Sequence, residues 1–475
     1  MSDLFVTTPD GAVRGAVTGG GAVRRFLAVP YAAPPRGAAR FAPPLPHAPW
    51  AGVRDTLAPG PTAPQPRRDA FGALDMSPYF GPGWVRGDDH LTVNVWAPRG
   101  AERCPVMVFV HGGGFVAGSG RAPLYDGAAF ARDGVVLVTL NYRLGVAGFL
   151  DLPGAPRNRG LLDVVAALGW VRRSIEGFGG DPGNVTLFGQ SAGATIVAGL
   201  LAEPAAAGLF RRAIVQSGNA LGAFSPEQAA RVARAAAAAL GVAPTAAGFA
   251  DVPDERFVAV MPELSGLDLR TPDRPDPLMG LSPFSLVRER QPAESLLAPV
   301  DLLVGTTAEE GNLYLAPQGQ LATSTAEDVR RTAAAAHGDP EALVAAFRAR
   351  RPGAGHGEVR SALLGDALFG AGSRRLVEAH GGAHVYEFAW RSPAVDGRLG
   401  AAHTVELPFV FDRLALPELR GARGLLGPVE PPASLATRMH AAWVAFARSG
   451  DPGWPPYGRE RRVRRFGADG DGDGG

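Results

Sequence analysis

The chain has 475 residues, 46% of them hydrophobic and 20% charged, enough apolar material to fold around a sizeable core. Its 47 basic and 46 acidic residues leave a net charge of +1, which excludes a polyanion-binding footprint. Apart from the histidines every basic residue is arginine and there is one cysteine, Cys104, so lysine chemistry, an intramolecular disulfide and a cysteine-built zinc site are all excluded. Residues 1–30 read as short strands broken by glycines, a hairpin-like entry, and 31–90, rich in Pro and Gly, as surface loops. LTVNVWAP (91–98) predicts a strand. PVMVFVH (105–111) and VVLVTLNYR (135–143) are β-branched apolar runs without alternation, as in strands buried on both faces. A helix is predicted over 161–176 from Leu161, Leu162, Val165, Leu168 and Val171, then a strand at 185–189, a helix at 192–202 and a strand at 211–218. An alanine-rich helix over 226–240, an irregular Pro-rich cap at 241–295, strands at 300–306 and 383–390, and helices within 325–380 and over 434–449 follow. Strands alternating with helices predict an α/β fold with a mostly parallel sheet covered on both faces. Residues 1–466 are expected to form one domain, with 467–475 a disordered acidic tail.

The start, MSDLFVTTPDG, lacks a basic n-region followed by an apolar h-region, and no apolar stretch reaches membrane-spanning length. The expectation is a soluble cytoplasmic protein.

Two loops carry chemistry. Gly189-Gln190-Ser191-Ala192-Gly193 follows the strand VTLF and opens a helix. Glycine on either side permits a sharp strained turn that projects a serine hydroxyl from the sheet edge. The pattern alone is weak, since roughly 0.3 matches are expected by chance in a chain this rich in glycine; the strand–turn–helix context strengthens it. His111-Gly112-Gly113-Gly114-Phe115 follows the preceding buried strand. Bare glycine amides can approach a substrate oxygen, as acyl transfer requires. The N–H groups of Gly113 and Gly114, with that of Ala192, are assigned to an oxyanion hole. The alternatives are a flexible turn or a phosphate loop; the latter needs a Lys or a dinucleotide fingerprint, and neither fits. His111 reads as a structural residue that hydrogen-bonds the loop.

With these motifs in order, the chain resembles the type-B carboxylesterases, the carboxylesterase/cholinesterase family of α/β-hydrolases, closest in style to the bacterial para-nitrobenzyl esterases. The resemblance runs through FLAVPYAAPPRGAARFAPP (26–44), DDHLTVNVW (88–96), NYRLGVAGFL (141–150), the segment 158–194, FRRAIVQSG (210–218), GTTAEEG (305–311), HTVELPFVF (403–411) and WVAFARSGDPGWPPY (443–457). It implies a serine hydrolase of carboxylic esters with Ser191 as nucleophile and His403, in the family's His-x-x-Glu-Leu segment, as base and then acid. Glu310, directly before the glycine of GTTAEEG, is the orienting acid in place of its neighbour Glu309. Ser217 resembles a serine that supports the acid; a satisfied core hydroxyl is the equal alternative. Glu406 and His440 read as structural. No metal or organic cofactor is implied. The expected partner is a small-molecule ester, with no nucleic acid or membrane, and the protein a monomer or weak homodimer.

Departures accompany the match. The family's loop cysteines are replaced by Ala63 and His90, which implies a looser rim over 62–90 and agrees with a reducing compartment. The stretch around 282–292 is shortened, and Trp84 does not match the choline-binding tryptophan in spacing. Cys104 reads as packing. Asp469, Asp471 and Asp473 mimic the start of a calcium loop but leave too few residues to complete one, and RRVRR (461–465) reads as an exposed strand balanced by acids. Glycine and apolar residues dominate the motif-bearing loops, which predicts neutral, partly hydrophobic esters of modest size. The rival readings are a lipase, an amide or carbamate hydrolase on the same triad, and a cholinesterase-like binding module that has lost its chemistry.

Overall fold

The apolar runs of the middle of the chain form the strands their β-branched residues favour, within a large mixed sheet. The computed structural model describes residues 4–297, 300–467 and 472–474. The strands of the sheet are β1 (Ala16–Thr18), β2 (Val23–Pro30), β3 (Thr92–Pro98), β4 (Cys104–Val110), β5 (Val136–Leu140), β6 (Gly180–Gln190), β7 (Arg212–Gln216), β8 (Asp301–Thr307), β9 (His384–Phe388), β10 (Val463–Phe466) and β11 (Gly472–Gly474). Their order across the sheet is β11-β10-β9-β8-β7-β6-β4-β5-β3-β2-β1. Neighbours from β5 through β10 pair in parallel, and the outer pairs are antiparallel. Val106 to Val110 and Val136 to Val138 are each 0% exposed, so side chains on both faces of these strands are covered. That is the physical content of an apolar run without alternation.

The strand order reverses at β4, which has β5 on one side and β6 on the other. Connections that leave in opposite directions open a crevice at the carboxyl ends of the strands, where α/β sheets place their sites. Register brings those ends level. Val110 pairs with Gly189, Gln190 with Gln216, and Gln216 with Gly305. The segments beginning at His111, Ser191, Ser217 and Ala308 therefore emerge side by side.

Elsewhere the structure refines the predicted elements. The first long helix runs Arg159–Ser174, started by Asn158 at φ 55°, and ends in a tight turn over Ile175–Phe178. The helical stretch within 325–380 is split into Ala326–Ala336, Pro340–Ala349, His356–Gly365 and Ala371–His380, with a widened turn at Asp366–Gly370 before the last. Asp339-Pro340 and Pro352-Gly353 account for two of the breaks. The 241–295 segment carries a short helix, Asp254–Val260, and Phe249, Phe257 and Leu264 pack into the main core, so it is irregular yet anchored. Residues 468–471 and 475, with Asp469 and Asp471, lie outside the described residues, but Gly472–Gly474 pair antiparallel with β10, because an open sheet edge offers backbone partners to any sequence.

Candidate active site

Ser191 sits between β6 and the helix Ala192–Leu200 at φ 58°, ψ −126°, a backbone conformation that costs a non-glycine residue on the order of 1–3 kcal/mol. Ser191 N–H donates to Gln216 O at 3.0 Å, and Thr195 N–H to Ser191 O at 2.9 Å, which hold the turn. The flanking glycines are required by contact. A Cβ on Gly193 would lie 2.1 Å from Val110 O, and one on Gly189 would lie 2.7 Å from the Gly193 carbonyl carbon.

Glu310 follows β8 and is 5% exposed; His403 is 2% exposed. The imidazole donates from Nδ1 to Glu310 Oε2 at 2.6 Å. The other carboxylate oxygen accepts from Ser217 Oγ at 2.5 Å and from Thr307 N–H at 2.7 Å. Three donors thus fix this carboxylate, two of them on Oε1. Glu309 faces away: it is paired with Arg391 and accepts from Ala401 N–H at 2.9 Å. The far side of the imidazole is set by Gln190. Tyr79 donates its hydroxyl to Gln190 Oε1 at 2.6 Å, which turns the amide nitrogen toward His403 Nε2 at 3.3 Å. An amide N–H there requires Nε2 to be the acceptor, so this network assigns the proton to Nδ1 and leaves Nε2 unprotonated. Phe369, from the widened turn, stacks on the imidazole at 4.2 Å and 9°, a contact worth about 0.5–1.5 kcal/mol.

The glycine loop after β4 is held from below. His111 is buried, which pushes its pKa down to about 4 and keeps the ring neutral; its Nδ1 donates to Gly112 O at 2.8 Å. The ring stacks on Tyr142 at 4.4 Å, and Tyr142 Oη donates to His111 O at 2.7 Å. Gly113 takes φ 114°, and a Cβ there would lie 2.0 Å from Ala117 O. Among the described residues the N–H groups of Gly113 and Gly114 donate to no protein acceptor. Ala192 N–H opens a helix, where no intrahelical acceptor exists.

Ser191, His403, Gly113, Gly114 and Ala192 all border one cleft, a cavity of about 110 Å³. Its remaining wall is mostly apolar, with Met76, Phe80, Phe115, Leu281 and Tyr314 among its residues. The 282–292 region contributes Ser282, whose Oγ donates to Gly114 O at 2.6 Å. Trp84 lies under the Arg86 guanidinium at 4.2 Å, and Phe80 instead lines the cleft. At the positions of the missing cysteines, Ala63 and His90 are buried, and hydrogen bonds tie the loop: Thr62 Oγ donates to Gly83 O at 2.7 Å and accepts from Val85 N–H at 2.8 Å. Glu406 is fully buried and its carboxyl is pushed up to about 8 by desolvation and by Glu310. His440 donates to Val410 O at 2.7 Å, away from the cleft.

Sequence reasoning passes over Gln190, Tyr79, Thr307, Phe369 and the cleft residue Arg68. Gln190 is the one with a local signal, since it occupies the variable position directly before the serine. Among the described residues no cluster of three or more His, Cys, Asp or Glu side chains is placed to hold a metal ion. None of the helices there is long and apolar enough to cross a membrane.

The family model described as "Carboxylesterase family" matches residues 2–464. The para-nitrobenzyl esterase of Bacillus subtilis (strain 168) is 35% identical, over 97% of this chain and 94% of that protein. The phenmedipham hydrolase of Pseudarthrobacter oxydans is also 35% identical, over 91% and 89%. Among solved structures, a Geobacillus stearothermophilus carboxylesterase superposes with a TM-score of 0.83 at 32% identity, covering 99% of this chain and 98% of that one.

Proposed function

Because the chain belongs to the carboxylesterase family, and is a serine hydrolase of carboxylic esters with the α/β-hydrolase fold, we propose that its chemistry runs on Ser191, His403 and Glu310. Ser191 Oγ attacks the ester carbonyl carbon while its proton passes to His403 Nε2. The Nδ1 proton stays with the Glu310 hydrogen bond, and the carboxylate stabilises the imidazolium without taking that proton. Negative charge on the carbonyl oxygen is received by the N–H groups of Gly113, Gly114 and Ala192. The carbon–oxygen bond to the alcohol then breaks, with the Nε2 proton going to the leaving oxygen. Water attacks the acyl-enzyme, gives its proton to Nε2, and the acid departs as that proton returns to Ser191.

The observation that carries this reading is the hydrogen-bond chain Tyr79–Gln190–His403–Glu310–Ser217, which fixes the His403 tautomer in the cleft that the strained Ser191 also borders. The apolar cleft wall favours esters of modest size. Family membership favours ester hydrolysis over the lipase, amidase and non-catalytic readings. We read residues 1–466 as one domain, supported by a hydrophobic cluster that reaches from Val6 to Phe466. The single cysteine supports action in the cytoplasm, and the net charge of +1 supports the absence of a nucleic-acid partner; we read the protein as a monomer or weak homodimer without a membrane partner.

Labelling with a fluorophosphonate followed by peptide mapping tests the nucleophile. The adduct is expected on Ser191 and absent from Ser191→Ala; an adduct elsewhere, or one that persists in the variant, overturns the assignment.

A further inference from the structure

The cleft holds one permanent charge, Arg68, and no Asp or Glu lines it. Arg68 comes from the Pro-rich 31–90 segment, and its guanidinium lies against the glycine loop. A Cβ built on Gly114 would be 3.7 Å from Nη1. Its neighbour Arg67 is paired with Asp69 at 2.6 Å, which also occupies the nearest carboxylate along the chain. Among the described residues Arg68 itself has no hydrogen-bond acceptor and no carboxylate partner. Its aromatic contact is with the Phe80 ring, 5.8 Å from centroid to guanidinium carbon.

Arg68 is half-buried at the cleft, and a guanidinium cannot shed its proton at neutral pH, so partial withdrawal from water favours an anion that pairs with it. Burial lowers the Arg68 pKa, with Tyr314 and Tyr79 the neighbours that act against that effect. Neither tyrosine is ionised, since burial raises both. Glu310 is not its partner: it is engaged by His403, Ser217 and Thr307, and among the described residues it makes no ion pair with Arg68. What the site lacks is an anion that arrives from the cleft, and a carboxylate matches the planar fork of a guanidinium.

We propose that Arg68 binds a carboxylate of the substrate, so that the enzyme selects esters carrying one carboxylate over neutral esters of the same size. The proposal rests on the reading of this cleft as the ester site and names the substrate class for it. It departs from the neutral esters expected of the motif-bearing loops, because Arg68 belongs to none of those loops and enters the cleft through the packing of a distant segment.

Two matched pairs test it. In the first the carboxylate is on the acyl side: mono-4-nitrophenyl adipate against methyl 4-nitrophenyl adipate. In the second it is on the leaving group: 4-acetoxybenzoate against methyl 4-acetoxybenzoate. The readout is the ratio of kcat/KM within each pair, corrected for the hydroxide rates of the two esters, with active sites counted by fluorophosphonate labelling. In at least one pair the wild type is expected to favour the carboxylate ester by about 10- to 100-fold, the range of a hydrogen-bonded charge pair. Arg68→Gln is expected to remove that preference and Arg68→Lys to retain part of it. A wild type that favours the neutral ester in both pairs overturns the proposal, whether or not the variants fold. So does an unchanged ratio in Arg68→Gln. Turnover of the neutral esters without a carboxylate preference defeats the role of Arg68 alone, whereas no turnover of any of the four, with no labelling of Ser191, defeats the reading of the cleft as well.

Discussion

Replacing Glu310 by Gln is the most discriminating test of how the site is wired. The two oxygens of Glu310 are not equivalent: Oε1 receives Ser217 Oγ and Thr307 N–H, and Oε2 receives the His403 Nδ1 proton. An amide at this position keeps its oxygen where two donors meet, which forces its NH2 group toward His403 Nδ1. Two donors then face each other, and the imidazole relieves the conflict by moving its proton to Nε2. That tautomer cannot accept the proton of Ser191. The corresponding acid-to-amide change in a serine protease triad costs about ten thousandfold in kcat, and a loss of that order is expected here with KM little changed. Glu309→Gln is the control. Its carboxylate pairs with a largely exposed Arg391, an interaction worth about 0–1 kcal/mol, so kcat should stay within about threefold of wild type. Steady-state hydrolysis of 4-nitrophenyl acetate, with thermal melting to verify folding, measures both. A folded Glu310→Gln that loses less than about tenfold, or a Glu309→Gln that loses as much, refutes the reasoning.

Ser217→Ala removes one of the two donors on Oε1 and leaves Thr307 N–H, so kcat is expected to fall about tenfold at near-constant KM, the value of one hydrogen bond to a charged group. A variant indistinguishable from wild type would make Ser217 a satisfied core hydroxyl. Stability should have two pH-dependent limbs. Glu406 holds its proton up to about 8 in the fold, against 4.5 for an ordinary glutamate, so the folded state binds more protons across that window and stability declines as pH rises through it. Glu406→Gln should flatten this limb in chemical denaturation, and an unchanged slope would contradict the buried neutral carboxyl. His90 and His111 are lowered to about 4 from 6.5, so the unfolded chain binds more protons there and stability declines as pH falls from 6.5 toward 4. His90→Gln should remove part of that acid limb.

The parts of the site legible in the sequence share a property: their physical requirement is local. The elbow needs a strand, two glycines packed against neighbouring backbone, and a helix, all within about a dozen residues of chain. The glycine loop needs positive φ and close backbone approach at Gly113. Buried strands advertise themselves because both faces are covered, which removes the polar half of the alternation. Helix ends set by breakers, as at Pro340, are legible for the same reason, while the widened turn at Asp366–Gly370 carries no local mark.

The residues that do the positioning belong to a different category. Glu310 and His403 stand 93 positions apart, and the identity of the pair came from likeness to a family, since no spacing rule connects them. Tyr79 reaches Gln190 across 111 positions, Ser282 reaches Gly114 across 168, and Arg68 arrives beside Gly114 from a loop whose composition predicts only surface. Composition and local pattern determined that an α/β sheet would form, with a serine at one strand end and bare amides at the next. Which carboxylate faces the imidazole, which proton the imidazole carries, and that an unpaired cation shares the cleft were decided by packing. These depend on distances between segments that meet only after the sheet has closed, and a single chain read in order carries no information about such distances.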